Sequence, residues 1–233
     1  LLTRLLQEAE RTQTMGNMQL YSVVITRSAE MKKKLSPLHF NQPMVEEAPV
    51  VLTFCADFNR AVKWCLNREA NPGYNNLLSF INAATDASLY TQTFCILAEE
   101  AGLGTCFLGT TIYQPGKIIE VLKMPKLTFP VATITLGFPD ENPELSDRLP
   151  LGGVIHEETY HDYSPKDIDS IYALKESLPE NQKFLKINAK KTLAQIYTDI
   201  RYTKKDNEAM SAGMNEAMSE TMIETLKKQG FLD

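Results

Sequence analysis

Histidine is scarce in this sequence, with only three residues among 233: His39, His156 and His161. The sequence contains no HExxH motif, no GxSxG nucleophile elbow and no P-loop. It therefore lacks the signatures of zinc proteases, α/β-hydrolases and P-loop NTPases. Cysteine is also rare, with four residues and no CxxC pair. Three of the four lie in apolar runs, which is typical of buried, reduced thiols in a cytoplasmic protein.

Long apolar runs and an excess of positive charge are both missing. No run approaches the roughly 18 apolar residues of a membrane span. Residues 1–7 mix leucine with Arg and Gln, unlike a signal peptide. The 24 basic and 29 acidic residues give a net charge of −5, which argues against a generic nucleic-acid or membrane surface. We therefore expect a cytoplasmic protein that acts on small molecules and binds neither nucleic acid nor membrane.

One cluster of residues has the composition of a metal site but not the spacing. His156 and His161 lie near Glu157, Glu158 and Asp162 in the sequence. Their spacing matches no metal-binding signature, and the surrounding residues are typical of a loop. The pattern favours a solvated acidic loop over a metal site, and we expect no metal.

Three glycines, Gly102, Gly104 and Gly109, invite comparison with a dinucleotide-binding loop. They follow a helical pattern and enclose a strand, whereas a dinucleotide-binding glycine loop follows a strand and opens a helix. Such glycines instead let the backbone approach a flat or closely packed group. Because no nucleophile, acid–base pair or metal cluster stands out, an enzyme with this sequence would need a cofactor to carry its chemistry.

The pattern of apolar residues predicts an α+β protein, in one domain over residues 1–233. The longest helical pattern covers 77–101, and its small residues predict a buried central helix that ends at Gly102. An extended piece is expected near 154–160. Core strands are predicted at 20–26, 49–55, 104–109 and 129–138, and further helices at 1–11, 30–35, 116–122, 165–174, 192–200 and 208–229.

Four segments resemble one enzyme family, in the family's order and with its gaps: FCADFNR (54–60), AEEAGLGTCFLG (98–109), LGFPDENPELSDRLP (136–150) and VIHEETY (154–160). They resemble the FMN-dependent nitroreductase superfamily, in its branch of oxygen-insensitive NADPH nitroreductases and NADPH–flavin oxidoreductases. The resemblance implies a nitroreductase-like fold with a central mixed, mainly antiparallel sheet flanked by helices. Within that domain it implies an excursion at 139–205 and a C-terminal helix at 207–229.

The function that the resemblance implies is that of an oxidoreductase. It implies a homodimer that binds FMN in two clefts at the subunit interface. NADPH or NADH would give hydride to flavin N5 and leave, in a ping-pong reaction. The reduced flavin would then pass electrons to nitroaromatics, quinones or free flavins.

The resemblance also assigns a loop that binds the cofactor. Thr14, Met15, Gly16 and Asn17 stand where the family has a serine-rich FMN loop, with Gln19 just beyond it. Because the serines are replaced here, the contacts would come from backbone amides and from the Thr14 hydroxyl. A plain helix–strand connection is the alternative interpretation of this loop.

Two further matches concern the flavin ring. Gln42 matches a family glutamine that contacts the flavin, and Phe107, Leu108 and Gly109 match the segment that runs under the ring. The Gly109 amide would support N5 as charge arrives on the ring, and no side chain is expected to act as a general acid or base. The alternative interpretation of Gln42 is a polar loop residue before Pro43, and that of Gly109 is a glycine that only ends a strand.

The charged matches are less complete. Arg148 matches an arginine near the FMN phosphate, where a guanidinium fork suits phosphate oxygens, and a solvated loop arginine is the alternative. Ser146 stands where the family has a lysine. The sequence shows no counterpart of the family's Arg-rich N-terminal segment, either because that segment was not included or because this protein lacks it. Arg201, Lys204 and Lys205 lie where the family binds the nicotinamide nucleotide, although a solvated basic turn fits as well. We expect weak FMN binding by this chain, and a degenerate, non-catalytic dimeric relative is the alternative function.

Overall fold

The computed structural model describes residues 1–201, 203–204 and 215–232. The chain divides into two compact units. The first comprises Leu1–Asp140 and Met214–Asp233, and the second comprises Glu141–Gly213.

The first unit is built on a four-stranded sheet, which confirms the predicted α+β class. The strands are β1 (Tyr21–Thr26), β2 (Val50–Asp57), β3 (Gly104–Leu108) and β4 (Thr128–Gly137). Their order is β1-β2-β4-β3. Each of the three neighbouring pairs is antiparallel, so the described residues contain no parallel pair. The near-continuous apolar sequences of β2 and β4 place them in the centre, where both faces of a strand are covered.

The predicted central helix is present as α5 (Leu77–Glu100). Its N-terminus is capped by Asn76, whose side-chain Oδ1 accepts a hydrogen bond of 2.9 Å from the amide of Ser79. Its C-terminus is followed by Gly102, whose φ of 78° is in the left-handed region that a glycine adopts without strain. One face of α5 packs on the sheet, and its Tyr90 and Phe94 lie in the same apolar core as Phe54 of β2.

The other helices of the first unit surround this core. Two short helices in this unit, at 44–47 and 59–66, were not predicted from the sequence. The second of them is only eight residues long and has no buried residue. The bounds are α1 (Leu2–Ala9), α2 (Ala29–Leu35), α3 (Met44–Glu47), α4 (Asn59–Leu66) and α6 (Pro115–Leu122). The last helix of the chain, α10, covers Asn215–Gln229.

The second unit is helical and has a small core of its own. The predicted extended piece near 154–160 is wrong, because the backbone there bends and Glu158 takes a left-handed φ of 61°. A helix at 179–187 was not predicted. The core consists of Leu185, Leu193 and Ile196 with Phe184 and Tyr197 packed against it. The helices are α7 (Pro165–Ser177), α8 (Pro179–Ile187) and α9 (Leu193–Ile196), the last continued by a wider turn at Tyr197–Arg201.

The described residues contain neither a membrane-spanning helix nor a cluster of metal-binding side chains. Among them, no helix is both long enough and apolar enough to cross a lipid bilayer. Nor does this part of the chain bring together three His, Cys, Asp or Glu side chains in a way that would hold a metal ion.

Candidate cofactor site

The loop between α1 and β1 has an unusual backbone. Thr14 is extended, with φ −139° and ψ 154°, and a single 3₁₀ turn follows at Met15–Asn17. Gly16, Asn17 and Gln19 all have φ between 53° and 56°, in the left-handed region. Only glycine enters that region freely, and asparagine enters it more readily than other residues. The loop therefore has a specific backbone shape.

Asp86 of α5 holds this loop at both ends. Its two carboxylate oxygens accept hydrogen bonds from the backbone amides of Met15 and Leu20, at 2.8 Å and 3.1 Å. The Asp86 residue is only 2% exposed, and hydrogen bonds to a buried carboxylate are among the stronger ones in proteins. Sequence analysis missed Asp86, although an aspartate in the middle of an otherwise apolar helix was the available signal.

Arg60 of α4 fixes the same loop from its other side. Its guanidinium donates to the carbonyl oxygen of Gln19 and, at 3.2 Å, to that of Tyr21. A cavity of about 540 Å³ opens here, lined by Gln19, Arg60 and Tyr21 together with Glu10. Arg60 lies within the family-like segment 54–60, but its role at the loop was not predicted.

Gln42 lies beside Thr110, the residue that follows Gly109. Its side-chain Nε2 donates to the carbonyl oxygen of His39 at 3.1 Å and to Oγ1 of Thr110 at 3.4 Å. The chain reaches this position through Phe40 and Asn41, which both adopt left-handed φ values. The structure therefore brings Gln42 and the Gly109 turn together, as the sequence predicts for two contacts to one group.

Gly109 begins a 3₁₀ turn at Gly109–Ile112 and faces open space. A Cβ atom added to Gly109 would have no atom within 4 Å. The neighbouring Phe107 is 58% exposed, and Phe40 and Ile112 also expose apolar surface. Leu108 differs, because it is buried in the core.

His39 is fully buried beneath this turn. Its Nδ1 lies 2.9 Å from Oγ1 of Thr110, whereas its Nε2 has no partner among the described residues. Burial lowers the pKa of His39 to about 4, so the imidazole is neutral near pH 7. In the sequence His39 stood out only as one of three histidines. Among the described residues, no hydrogen bond joins His39, Gln42 or Thr110 to the loop at 14–19.

Arg148 belongs to the second unit and is hydrogen-bonded within its own loop. Its Nη1 donates to Oγ and the carbonyl oxygen of Ser146, at 2.7 Å and 3.3 Å, and to the carbonyl oxygen of Asp147 at 2.8 Å. Asp147 is in turn paired with Lys175 at 3.0 Å. One nitrogen of the guanidinium is thus used locally, and the side chain is exposed.

The residues predicted to bind the nicotinamide nucleotide are only partly described. The guanidinium carbon of Arg201 lies 5.1 Å from the ring centre of Phe184 and 5.6 Å from that of Tyr197, within the range of cation–π contact. Lys204 is exposed. Lys205 lies outside the described residues.

The histidines of the acidic loop are used in local hydrogen bonds. His156 Nδ1 accepts from the backbone amide of His161 at 3.3 Å, and Nε2 lies 3.2 Å from the Tyr163 hydroxyl. That hydroxyl donates to the carbonyl oxygen of Gly153 at 2.9 Å. Both ring nitrogens of His156 are therefore engaged, and neither is available to a metal ion without rearrangement.

Comparison with known proteins identifies the family. A model of the nitroreductase family matches residues 1–138. The FMN reductase (NAD(P)H) of Bacillus subtilis is 35% identical over 161 residues, covering 68% of this chain and 65% of that protein. The oxygen-insensitive NADPH nitroreductase of Salmonella typhimurium is 30% identical over 158 residues, covering 68% of this chain and 64% of that protein. The chain belongs to the nitroreductase family, which confirms the family predicted from its sequence.

A crystal structure from Bacteroides fragilis NCTC 9343 shows the same fold over the whole chain. That protein is 59% identical, with a TM-score of 0.92, and the match covers 100% of this chain and 91% of that one. By contrast, the matches to the two enzymes above span less than two thirds of their own lengths.

The residues of the first unit fit a flat cofactor such as FMN. Gly109 leaves open space where a side chain would otherwise project, and exposed apolar side chains stand beside it. The left-handed turn at Gly16 and Asn17 exposes backbone that can bind an anion or a carbonyl oxygen. These features together suit a planar ring with polar edges.

Proposed function

We propose that this protein is an FMN-dependent NAD(P)H oxidoreductase that reduces nitroaromatics, quinones or flavins. One observation carries the proposal: Gln42 and Gly109, which the resemblance assigns to the flavin ring from separate parts of the sequence, meet at Thr110 in the structure. The names of the relatives, an FMN reductase and a nitroreductase, support the same chemistry. The chemistry that FMN supplies when bound is two-electron transfer between a nicotinamide nucleotide and an acceptor.

In this proposal the protein binds and orients the cofactor. The backbone of Thr14, Met15, Gly16 and Asn17, with Gln19 beyond it, would contact the cofactor's polar groups. This loop suits the task because Asp86 and Arg60 fix its shape in advance, which lowers the entropic cost of binding.

At the ring, Gln42 and the Gly109 amide would supply hydrogen bonds, while Phe107 and the Leu108 backbone line the approach. An amide donor near the atom that receives hydride stabilises the charge that develops there. Arg148 would bind the phosphate with the edge of its guanidinium that its own loop leaves unused.

The nicotinamide nucleotide would bind to Arg201, Lys204 and Lys205. Stacking on Phe184 and Tyr197 restrains the Arg201 side chain and leaves the edge of its guanidinium available to phosphate oxygens. A phosphate of NADPH or NADH is the chemical group that such an arrangement favours.

We further propose that the protein is a cytoplasmic homodimer and that both units act within one nitroreductase domain over 1–233. The exposed face of α5 supports a dimer, because it presents the apolar residues Leu78, Ile81, Leu89 and Ile96 at helical spacing. A helix that is apolar on opposite faces normally has both faces covered. The four cysteines are free thiols, as a reducing compartment requires.

The test is direct. Protein expressed from the complete reading frame should bind FMN, show a flavin band in its visible spectrum, and oxidise NADPH or NADH when nitrofurazone or free flavin is added. The alternative, a dimeric relative without catalysis, predicts a colourless protein that stays inactive when FMN is supplied. That result would overturn the proposal.

A further inference from the structure

A histidine at position 39 lowers the stability of the folded protein. The segment around it is apolar, and Leu35, Leu38 and Val45 form a cluster there with Leu108. His39 is fully buried, and its Nε2 has no hydrogen-bond partner among the described residues. A buried polar atom without a partner destabilises the folded state. An aliphatic side chain would avoid that cost, so the benefit of a histidine must come from Nδ1.

The only described polar contact of the His39 ring is with Thr110. Nδ1 lies 2.9 Å from the Thr110 hydroxyl oxygen, and Nε2 of Gln42 donates to that same oxygen at 3.4 Å. Nε2 of Gln42 also donates to the His39 carbonyl oxygen at 3.1 Å. His39, Gln42 and Thr110 therefore form one hydrogen-bonded unit directly beside Gly109.

These hydrogen bonds determine which polar atom of the Gln42 side chain can bind a ligand. A glutamine amide has two N–H donors and one carbonyl acceptor. The Gln42 amide nitrogen is directed at two acceptors inside the protein, which leaves Oε1 as the polar atom of the side chain that faces a bound group. If the amide turned over, its nitrogen would lose both acceptors and would present a donor to the ligand instead.

We propose that His39 and Thr110 are positioning residues that fix the Gln42 amide so that it presents its carbonyl oxygen to an N–H of the isoalloxazine ring. The inference rests on the function proposed above. The ring has N–H donors that an amide oxygen complements, and a donor in that place would leave two N–H groups facing each other. Because burial keeps His39 neutral near pH 7, the hydrogen-bonded unit stays the same over the working range of pH.

Matched substitutions separate this role from a structural one. Thr110→Val removes the hydroxyl at nearly constant volume, whereas Thr110→Ser keeps it. His39→Leu removes both ring nitrogens. Thr53→Val is the control, because Thr53 is a fully buried threonine whose hydroxyl has no partner among the described residues. The FMN dissociation constant is measured by fluorescence titration, and the visible spectrum of bound flavin and the melting temperature of the apoprotein are recorded for each variant.

We expect Thr110→Val and His39→Leu to weaken FMN binding about five- to tenfold, as the loss of one net hydrogen bond does. Both should shift the visible band of bound flavin. Thr110→Ser and Thr53→Val should stay within roughly twofold of the wild type. In a Gln42→Leu background, Thr110→Val should have less than a roughly twofold effect, because the residue that it positions is gone.

Three results would overturn the inference. The first is that the wild type binds FMN and that Thr110→Val and His39→Leu bind it as tightly as the Thr53→Val control does. The proposed function would then stand, but this inference would not. The second is loss of folding in both variants but not in the control, which assigns the pair a structural role. The third is an undiminished effect of Thr110→Val in the Gln42→Leu background. If the wild type binds no FMN at all, the proposed function fails first, and this inference fails with it.

Discussion

Individual polar side chains shape the candidate site. Asp86, Arg60 and His39 all act on the backbone or on a neighbouring side chain. Asp86 and His39 are buried, whereas Arg60 is exposed and also lines the cavity beside the loop. The residues that would face the cofactor, such as Gly16 and Gly109, contribute mainly backbone. The side chains that give the site its shape are therefore different from the residues that would touch FMN.

Replacing Gly109 tests whether the open space beside it is used. Gly109→Val should fold normally, because an added Cβ meets no atom of the protein within 4 Å. It should nevertheless reduce FMN binding at least about tenfold, since the added side chain occupies the space where the ring would lie. Gly73→Val is the matched control, because Gly73 also faces open space. Equal FMN affinity for the two variants, measured by titration, would contradict the placement of the ring.

The pH dependence of stability should reveal His39. Burial lowers its pKa to about 4 in the folded protein, against about 6.5 for the unfolded chain. As the pH falls below about 6.5, the unfolded state takes up a proton that the folded state refuses, so the protein loses stability until about pH 4. The loss from this one group should be roughly 3 kcal/mol.

Chemical denaturation at several pH values measures that effect. His39→Leu should lose this part of the pH dependence, so the difference between the two proteins isolates the histidine. Parallel curves for the wild type and His39→Leu between pH 6.5 and pH 4 would show that His39 is not buried as described.

Among the elements, α5 has the largest influence on the site. Its buried face packs on the sheet, Asp86 holds the loop at both ends, and its exposed face is apolar. The long helical pattern at 77–101, with its small residues, predicted this helix correctly. Its exposed apolar face is explained only if another molecule covers it, which is why we propose a dimer there.

Asp86→Asn tests the connection between α5 and the loop. One of the two acceptors becomes an N–H donor facing a backbone N–H, so at least one hydrogen bond to a carboxylate is lost. We expect the free energy of unfolding to fall by about 1.5–3 kcal/mol. FMN binding should weaken in addition, because the loop would no longer be held in shape. Asp140→Asn, at an exposed carboxylate, should change neither quantity, and an equally mild result for Asp86→Asn would contradict this role.

Ile81→Lys tests the exposed face of α5. A charged side chain within an apolar contact must be desolvated without a partner, which should dissociate the dimer. Light scattering coupled to size-exclusion chromatography measures the mass. Ile187→Lys, at another exposed apolar position, should leave the mass unchanged. A dimeric Ile81→Lys variant, or a monomeric wild type, would argue against this interface.

At the scale of the whole molecule, the clearest expectation is stabilisation by the cofactor. A ligand that binds only the folded state at 100 times its dissociation constant adds about 2.7 kcal/mol of stability. For a chain of 233 residues this raises the melting temperature by about 5–10 °C. Riboflavin lacks the phosphate and should stabilise less than FMN. No shift with FMN would favour the non-catalytic relative over the oxidoreductase.

The sequence by itself determined the fold class, the four strands, the central helix and the family. Those features depend on apolar periodicity, caps and contiguous segments, all of which are local properties of the chain. It also selected Gln42 and Gly109, through resemblance. It did not predict α4 or α8, which are short and contribute at most one buried residue each, and it gave an extended piece at 154–160 where the backbone bends.

Only the tertiary structure decided how the site is held together. Asp86 and Met15 are 71 residues apart in the chain, and so are His39 and Thr110. Arg60 and Gln19 are separated by 41 residues. A hydrogen bond between such residues has no local pattern, because its partners meet only when elements far apart in the chain pack together. For that reason the sequence could indicate which residues would face the cofactor, but not which residues hold them in place.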